Sequence, residues 1–256
     1  MDDPIDLLDL DGRLAHLRSD TARLAACLRT GDLTTPIAAC PGWDLRRLAI
    51  HLGSVHRWAT QALHEGGPPT VGGNRPADDI GGEELAAWLR LGAGVLADML
   101  AVTDPSGPTW HPFPFEQVGW FWSRRQVIET ALHRWDAEMA VNGESDLDAF
   151  VALMGIGEFF EVGIPRILER AELAPPDASL HLHCTDDGRP DGAGEWIVWN
   201  EAGEYRLEAA HRKGDAALRG SAQDLLLVLH GRLDRSEVDI VGDRGAADAW
   251  LDLPGW

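Results

Sequence analysis

The segment from residue 127 to residue 136 places two ionisable side chains on a helix that is apolar on more than one side. Its sequence reads V-I-E-T-A-L-H-R-W-D, with Glu129 and His133 four residues apart. This spacing puts both side chains on one helix face, one turn apart. Because apolar residues occupy the other sides, we expect the helix to lie in a core, where a buried carboxylate needs a partner.

A carboxylate oxygen and an imidazole nitrogen held in this way are suitable ligands for zinc or a similar divalent ion. The pair alone is weak evidence, since such pairs also occur on solvated helix faces. The third ligand that we expect is His51, which lies in D-L-R-R-L-A-I-H-L-G on another predicted helix. His56 on that helix is about 140° further around the axis, so both histidines cannot easily bind one ion. The alternative for His51 is a hydrogen-bonded core histidine. Three protein ligands with an open position are typical of a catalytic metal site.

Charge and cysteine content exclude several classes of protein. The 256 residues carry 22 basic and 42 acidic side chains, a formal net charge of -20 that repels nucleic acid and anionic membranes. We find no apolar run of about 18 residues, so we expect no membrane span. The acidic N-terminus lacks the features of a signal peptide. Three widely spaced cysteines predict reduced thiols and a cytoplasmic location.

Apolar periodicity predicts four helices in the first part of the chain. Asp44 is the predicted N-cap of the second helix, Ser123 opens the fourth, and Asn142-Gly143 closes it. The predicted ranges are 6–29, 45–64, 82–102 and 123–141. Four helices joined by polar connections predict a four-helix bundle.

The sequence pattern changes after residue 145. A helix predicted over 147–170 either bridges two domains or belongs to the second. Short alternating segments then predict strands, with a helix over 221–231 before the last of them. The predicted strands are 179–185, 195–200, 205–210 and 238–243. These elements predict a small α+β domain.

Three blocks of sequence resemble one enzyme family. C-P-G-W-D-L-R-R-L-A-I-H-L-G-S-V-H-R-W and V-I-E-T-A-L-H-R-W-D-A-E-M-A resemble two signatures of the mycothiol-dependent maleylpyruvate isomerase family, in the DinB-like metalloenzyme superfamily. The block D-A-A-L-R-G-S-A-Q-D-L-L-L-V-L-H-G-R is similar to its C-terminal domain. The resemblance implies an α+β fold with a DinB-like four-helix bundle over residues 1–145. A small sterol-carrier-like α+β domain follows over residues 146–256.

The resemblance also implies a site. It places a divalent metal, commonly zinc, on His51, Glu129 and His133, the same residues that the spacing indicates. It implies mycothiol as a second cofactor, whose sulfur binds the open metal position as a thiolate. It places Arg232 in the active site, where the guanidinium would bind an anionic substrate. The alternative for Arg232 is a surface arginine.

The function that we expect is metal-dependent catalysis with mycothiol. The reaction is cis–trans isomerisation of an unsaturated oxo acid such as maleylpyruvate, or S-transfer of the thiol to an electrophile. The alternative is a non-catalytic, metal-stabilised protein that binds a small molecule or has a regulatory role. The expected partner is a small-molecule substrate, which would be anionic if Arg232 binds it, with no nucleic acid and no membrane.

Position in the sequence suggests roles for four other residues. Asp136 either orients His133 from behind or makes a separate salt bridge. Cys40 is interpreted as structural. His181 and His183 point to one face of a predicted strand and could bind an adventitious metal ion, but no third ligand is evident.

Overall fold

The computed structural model of the chain describes residues 7–70, 75–77, 79–190 and 192–255. These residues form two compact units. The N-terminal unit comprises Leu8–Pro112 and Glu116–Leu147, and the C-terminal unit comprises Phe113–Phe115 and the described residues from Asp148 onward. The first unit is helical and the second contains a mixed sheet, which confirms the predicted α+β class.

The N-terminal unit is a bundle of four long helices. They are α1 (Leu10–Thr30), α2 (Leu45–Glu65), α3 (Gly82–Val102) and α4 (Trp120–Asn142). Helices α1 and α2 each pack against both α3 and α4. Buried leucines such as Leu24, Leu48 and Leu89 fill the space between them and form the core. The bundle also brings α2 into contact with α4.

Local sequence explains most of the helix ends. Asp44 caps α2 as predicted, because its carboxylate accepts a hydrogen bond from the backbone N–H of Arg47. The predicted start of α4 at Ser123 is wrong, since the helix begins three residues earlier at Trp120. The Ser123 hydroxyl donates to the carbonyl of Trp120 and accepts from Arg13, so it lies inside the first turn. Gly143 ends the helix in the left-handed conformation, at φ 77°.

Among the described helices, only α3 is long and apolar enough to cross a membrane. Leu85, Leu89 and Leu96 on this helix are fully buried in the bundle. A core helix passes the same test of length and composition, so this feature is weak evidence for a membrane span. The expected absence of a membrane partner stays a prediction.

Helix α4 also buries charged groups, and an ionic network compensates them. The Arg134 side chain is 2% exposed, and its guanidinium donates to Asp20 at 3.1 Å and to Glu138 at 2.8 Å. Arg23 donates to both oxygens of the same Glu138 carboxylate. Buried charges persist only when they are paired in this way, so the network ties α1 to α4.

The C-terminal unit begins with an interrupted helix where the sequence predicted a continuous one over 147–170. Helix α5 (Ala149–Glu158) leads into a π-helical turn (Phe159–Gly163) and then into α6 (Ile164–Ala171). Pro165 lies in the first turn of α6. Because proline has no backbone N–H, it cannot continue the regular hydrogen-bond ladder, and the wider turn accommodates the break.

The remaining elements of the C-terminal unit form a five-stranded sheet with two helices. The strands are β1 (Leu180–Cys184), β2 (Glu195–Glu201), β3 (Glu204–Glu208), β4 (Ala216–Gly220) and β5 (Asp239–Gly242), and the helices are α7 (Ala222–Leu229) and α8 (Arg244–Leu251). The sheet order is β3-β2-β1-β4-β5, with β1 antiparallel to β2 and parallel to β4. Helix α7 packs on α5 and β4, while α8 packs on β1, β4 and β5. Strand β4 and helix α8 were not predicted from the sequence.

Candidate metal centre

The bundle brings His51 of α2 together with Glu129 and His133 of α4. Their ligand atoms lie within 4.8 Å of one another. Nε2 of His51 and Nε2 of His133 are each 3.3 Å from the same Glu129 oxygen, Oε1. The two imidazole rings meet edge to face, with centroids 5.2 Å apart. The three residues that the sequence singled out therefore form one cluster of two nitrogens and one oxygen.

The Glu129 carboxylate has one oxygen for the histidines and one for an arginine. Its Oε1 faces both imidazoles, whereas Oε2 accepts a hydrogen bond from Arg125, one turn earlier on α4. Burial raises the pKa of Glu129, but the Arg125 charge and the bonds to the histidines outweigh it and hold that pKa well below the usual value. The carboxylate is therefore ionised and fixed in orientation. Arg125 was not predicted from the sequence.

Asp136 orients the ring of His133. Nδ1 of His133 donates to Oδ2 of Asp136 at 3.0 Å, and the Asp136 side chain is completely buried. Burial lowers the pKa of His133, yet the hydrogen bonds to Asp136 and Glu129 raise it to about 9. With Nδ1 held, Nε2 points toward Glu129 and His51. A carboxylate behind the imidazole is the usual arrangement for a metal-binding histidine.

His56 lies outside this cluster. It is completely buried, and its Nε2 is 2.9 Å from the hydroxyl of Thr130. Burial lowers the pKa of His56 to about 3, so the ring is neutral. Its separation from His51 agrees with the angle expected for residues five apart on a helix.

The loop before α2 contributes two further side chains that the sequence analysis did not assign to the site. The Trp43 ring lies 4.8 Å from the ring of His51 and 6.3 Å from that of His133, measured between centroids. The Cys40 sulfur lies within 4.8 Å of ligand atoms of His133 and Asp136. The signal for both was their place in C-P-G-W-D, directly before the helix that carries His51.

Arg232 lies in the C-terminal unit, just after α7. Its backbone N–H donates to the carbonyl of Leu227 at 2.8 Å, and its guanidinium lies 3.5 Å from the carbonyl of His230. The residue is half-buried. These contacts are within the C-terminal unit, and the role of Arg232 in binding substrate stays a prediction.

No third metal ligand for His181 and His183 is evident in the sequence, but the structure brings two candidates to them. Glu195 and His211 join them, and the ligand atoms of all four residues lie within 4.8 Å of one another. The alternation of strand residues showed that the two histidines share a face, but only the strand register shows what faces them.

Two family models match the chain. The mycothiol maleylpyruvate isomerase N-terminal domain matches residues 14–138, and the C-terminal domain of the same family matches residues 151–249. The two matches follow one another along the chain, and the first of them spans His51, Glu129 and His133. The chain therefore belongs to the mycothiol maleylpyruvate isomerase family.

Solved structures show the same fold. The crystal structure of the mycothiol-dependent maleylpyruvate isomerase is similar over 98% of this chain and 99% of that chain, with a TM-score of 0.63 and 14% sequence identity. A histidine-to-alanine mutant of that isomerase has the same coverage and TM-score at 12% identity. At these identities the likeness establishes the fold alone. The search of curated proteins finds no match.

Proposed function

We propose that this protein is a metal- and mycothiol-dependent enzyme that isomerises an unsaturated oxo acid of the maleylpyruvate type. The observation that carries the proposal is the convergence of His51, Glu129 and His133 on one point between α2 and α4. Membership in the isomerase family supports both the thiol and the class of reaction. The name of the similar solved structure supports the same substrate class.

The residues of the cluster fit a divalent ion. Two imidazole nitrogens and a carboxylate oxygen are a known donor set for zinc, and three protein ligands leave a tetrahedral ion one position for an exogenous group. The charge balance also fits a thiolate in that position. Glu129 and Asp136 with Arg125 carry a net charge of minus one, so an ion of charge plus two leaves one positive charge for an anionic ligand to cancel.

Each residue has a definite task in this proposal. A divalent ion bound here would supply a Lewis acid that lowers the pKa of a thiol. Asp136 accepts the Nδ1 proton of His133 and so directs Nε2 at the site, where a metal ion would replace the Nε2 proton. Arg125 keeps Glu129 ionised and aligned. His51 is the most accessible of the three, with a side chain that is 36% exposed. The Trp43 ring packs beside both imidazoles.

The substrate and the cellular location are further parts of the proposal. A small dicarboxylate needs a cationic partner, and Arg232 is our candidate because arginine binds carboxylates in a bidentate manner. None of Cys27, Cys40 and Cys184 forms a disulfide, which favours a reducing cytoplasm. The strongly acidic charge balance favours a small molecule over nucleic acid or a membrane as partner.

The test is turnover by zinc-loaded protein supplied with mycothiol and maleylpyruvate. Product analysis by NMR and mass spectrometry distinguishes the two candidate reactions. Isomerisation leaves the mass of the substrate unchanged and returns the thiol, whereas S-transfer consumes one thiol per product. We expect isomerisation that requires the thiol and is lost in Glu129→Gln. His64→Ala is the surface control and should keep the activity. His64 is an exposed histidine on α2, the helix that carries His51.

Two outcomes would contradict the proposal. Thiol-dependent S-transfer to an electrophile without isomerisation would move the protein to the transferase alternative. Zinc binding at the cluster with no turnover of either kind would favour the non-catalytic alternative, in which the metal only stabilises the bundle.

A further inference from the structure

Four potential metal ligands meet on the sheet of the C-terminal unit, and none of them belongs to the first cluster. His181 and His183 alternate on β1, so both side chains are on one face of the sheet. Glu195 begins β2 and is the register partner of His183 across the antiparallel pair. It is also diagonal to His181. Cross-strand partners and their diagonal neighbours are within reach of one another on a sheet face.

The fourth side chain comes from a loop. His211 lies between β3 and β4, two strands that are separated in the sheet by β2 and β1. The connection over 209–215 must therefore cross β2 and β1, and it brings His211 to the same point. The ring centroids of His211 are 5.2 Å from His181 and 5.8 Å from His183.

The four side chains converge closely. Nε2 of His181 is 2.7 Å from one Glu195 oxygen, while Nδ1 of His183 and Nδ1 of His211 are 2.6 Å and 3.1 Å from the other. Tetrahedral zinc bonds of about 2.0–2.2 Å place ligand atoms about 3.3–3.6 Å apart. Because all four ligand atoms already lie within 4.8 Å of one another, small side-chain rotations reach that arrangement.

Hydrogen bonds within the cluster leave one buried nitrogen without a well-formed partner. Nδ1 of His183 is buried and makes no hydrogen bond of good geometry with any described residue, although it is close to Glu195. His181 and Glu195 are themselves buried, at 6% and 7% exposure. A buried polar atom normally has a partner, and a bound ion would provide one for this nitrogen. Three imidazoles beside a single carboxylate are a donor set for zinc rather than for calcium or magnesium.

We propose that His181, His183, Glu195 and His211 form a second divalent-metal site that binds zinc and fixes the loop over 209–215 to the sheet. Four protein ligands close the coordination shell, which is typical of a structural zinc site and differs from the three-ligand cluster in the bundle. The metal would link β1, β2 and the loop, whose other end leads into β4. His211 is the exposed ligand, with a side chain that is 75% exposed, so it is the one that the metal would order.

The loop offers a readout that depends on this site alone. Arg212 and Lys213 follow His211 directly, and both are exposed cleavage sites for trypsin. Protein stripped of metal is digested with and without added Zn²⁺, and cleavage after these two residues is followed by mass spectrometry. Zinc stoichiometry is measured in parallel by elemental analysis of the full-length protein. The variants are His183→Ala, which removes a ligand without changing the loop, Glu129→Gln in the bundle, and the surface control His64→Ala.

We expect zinc to slow cleavage after Arg212 and Lys213 in the wild type, in Glu129→Gln and in His64→Ala. In His183→Ala this protection should be lost, and the zinc affinity of the site should fall roughly 100-fold or more, as expected when one of four ligands to a tightly bound ion is removed. Wild type should bind one zinc more than His183→Ala. Circular dichroism of the metal-free proteins checks that each variant is folded.

Three results would overturn the proposal. One is cleavage of the loop at the same rate with and without zinc in the wild type. Another is protection that persists in His183→Ala, which would place the ion elsewhere. The third is protection that appears only at millimolar zinc, which would mark an adventitious ion only. None of these results bears on the cluster in the bundle, because Glu129→Gln reports on that cluster separately.

Discussion

The orientation of His133 by Asp136 leads to a graded prediction for zinc affinity in the bundle. The contact from Nδ1 to Oδ2 is 3.0 Å long, and the Asp136 side chain is inaccessible to solvent, so water cannot replace it. In Asp136→Asn the acceptor is kept but its charge is lost. A hydrogen bond to a charged group contributes about 1.5–3 kcal/mol and a neutral one about 0.5–1.5 kcal/mol. The difference of about 1–1.5 kcal/mol corresponds to roughly tenfold weaker zinc binding.

Removal of the acceptor should have a larger effect. In Asp136→Ala nothing holds the ring in the binding tautomer, and the loss of zinc affinity should approach about 100-fold, the upper range for residues behind a metal ligand. The assay is competition for zinc against a chromophoric chelator at fixed pH. It is performed in the His183→Ala background, so that the proposed second site does not contribute.

The matched control is Asp98→Asn, an identical change on α3 at a side chain that is 81% exposed. It should bind zinc as the parent protein does. Unchanged affinity in both Asp136 variants, with the fold intact, would refute the reasoning that Asp136 acts through His133. Equal losses in the two variants would also contradict it, because the graded response follows from keeping or removing the acceptor.

The ionic network and the glycines of the bundle lead to further predictions for stability. Glu138→Gln should lower the free energy of unfolding by about 1–3 kcal/mol, measured in urea, because buried Arg134 loses one charged partner but keeps Asp20. Burial raises the pKa of Glu138, but its hydrogen bonds with two arginines and a serine together have the larger, opposite effect. The pKa of Glu138 therefore lies below the ordinary value of 4.5. The stability from this depressed pKa is present above that ordinary value and is lost as pH falls through the lower folded value. The difference between wild type and variant should therefore shrink below about pH 4 in acid denaturation. Gly82→Ala should destabilise the protein by about 1–3 kcal/mol, because a Cβ at this position would lie 2.0 Å from the backbone carbonyl oxygen of Leu28. Gly94→Ala on the same helix is the control, since a Cβ there meets no atom within 4 Å. It should stabilise the protein by about 0.5–1 kcal/mol in the same urea titration.

Local sequence predicted the bundle well because helix formation there depends on local signals. The bounds of α3 and the cap of α2 follow from periodicity and from Asp44, both of which are readable within a few residues. The start of α4 was missed because its N-cap residue, Gly119, makes no side-chain capping hydrogen bond, so the sequence carries no cap signal there. Ser123 was a misleading cap signal, since its hydroxyl bonds to Arg13 and to the carbonyl of Trp120 inside the first turn.

The two metal clusters differ in how far the sequence reveals them. Glu129 and His133 are a turn apart on one helix, so their proximity could be predicted from spacing alone. That His51 joins them depends on how the helices are arranged, which spacing along the chain does not show. The family resemblance supported His51 instead. Glu195 and His211 could not be assigned, since their position depends on strand register and on a loop that crosses the sheet. Short strands such as β4 carry too little pattern to fix that register.

The most direct test of the proposed metal centre is anomalous diffraction at the zinc edge from crystals of the zinc-loaded protein. We predict a peak at about 2.0–2.2 Å from Nε2 of His51, Oε1 of Glu129 and Nε2 of His133, with the remaining position open to water or thiol. A second peak among His181, His183, Glu195 and His211 would belong to the other proposal and would not substitute for the first. Zinc-loaded crystals without density between α2 and α4 would contradict the claim that this bundle carries the catalytic metal.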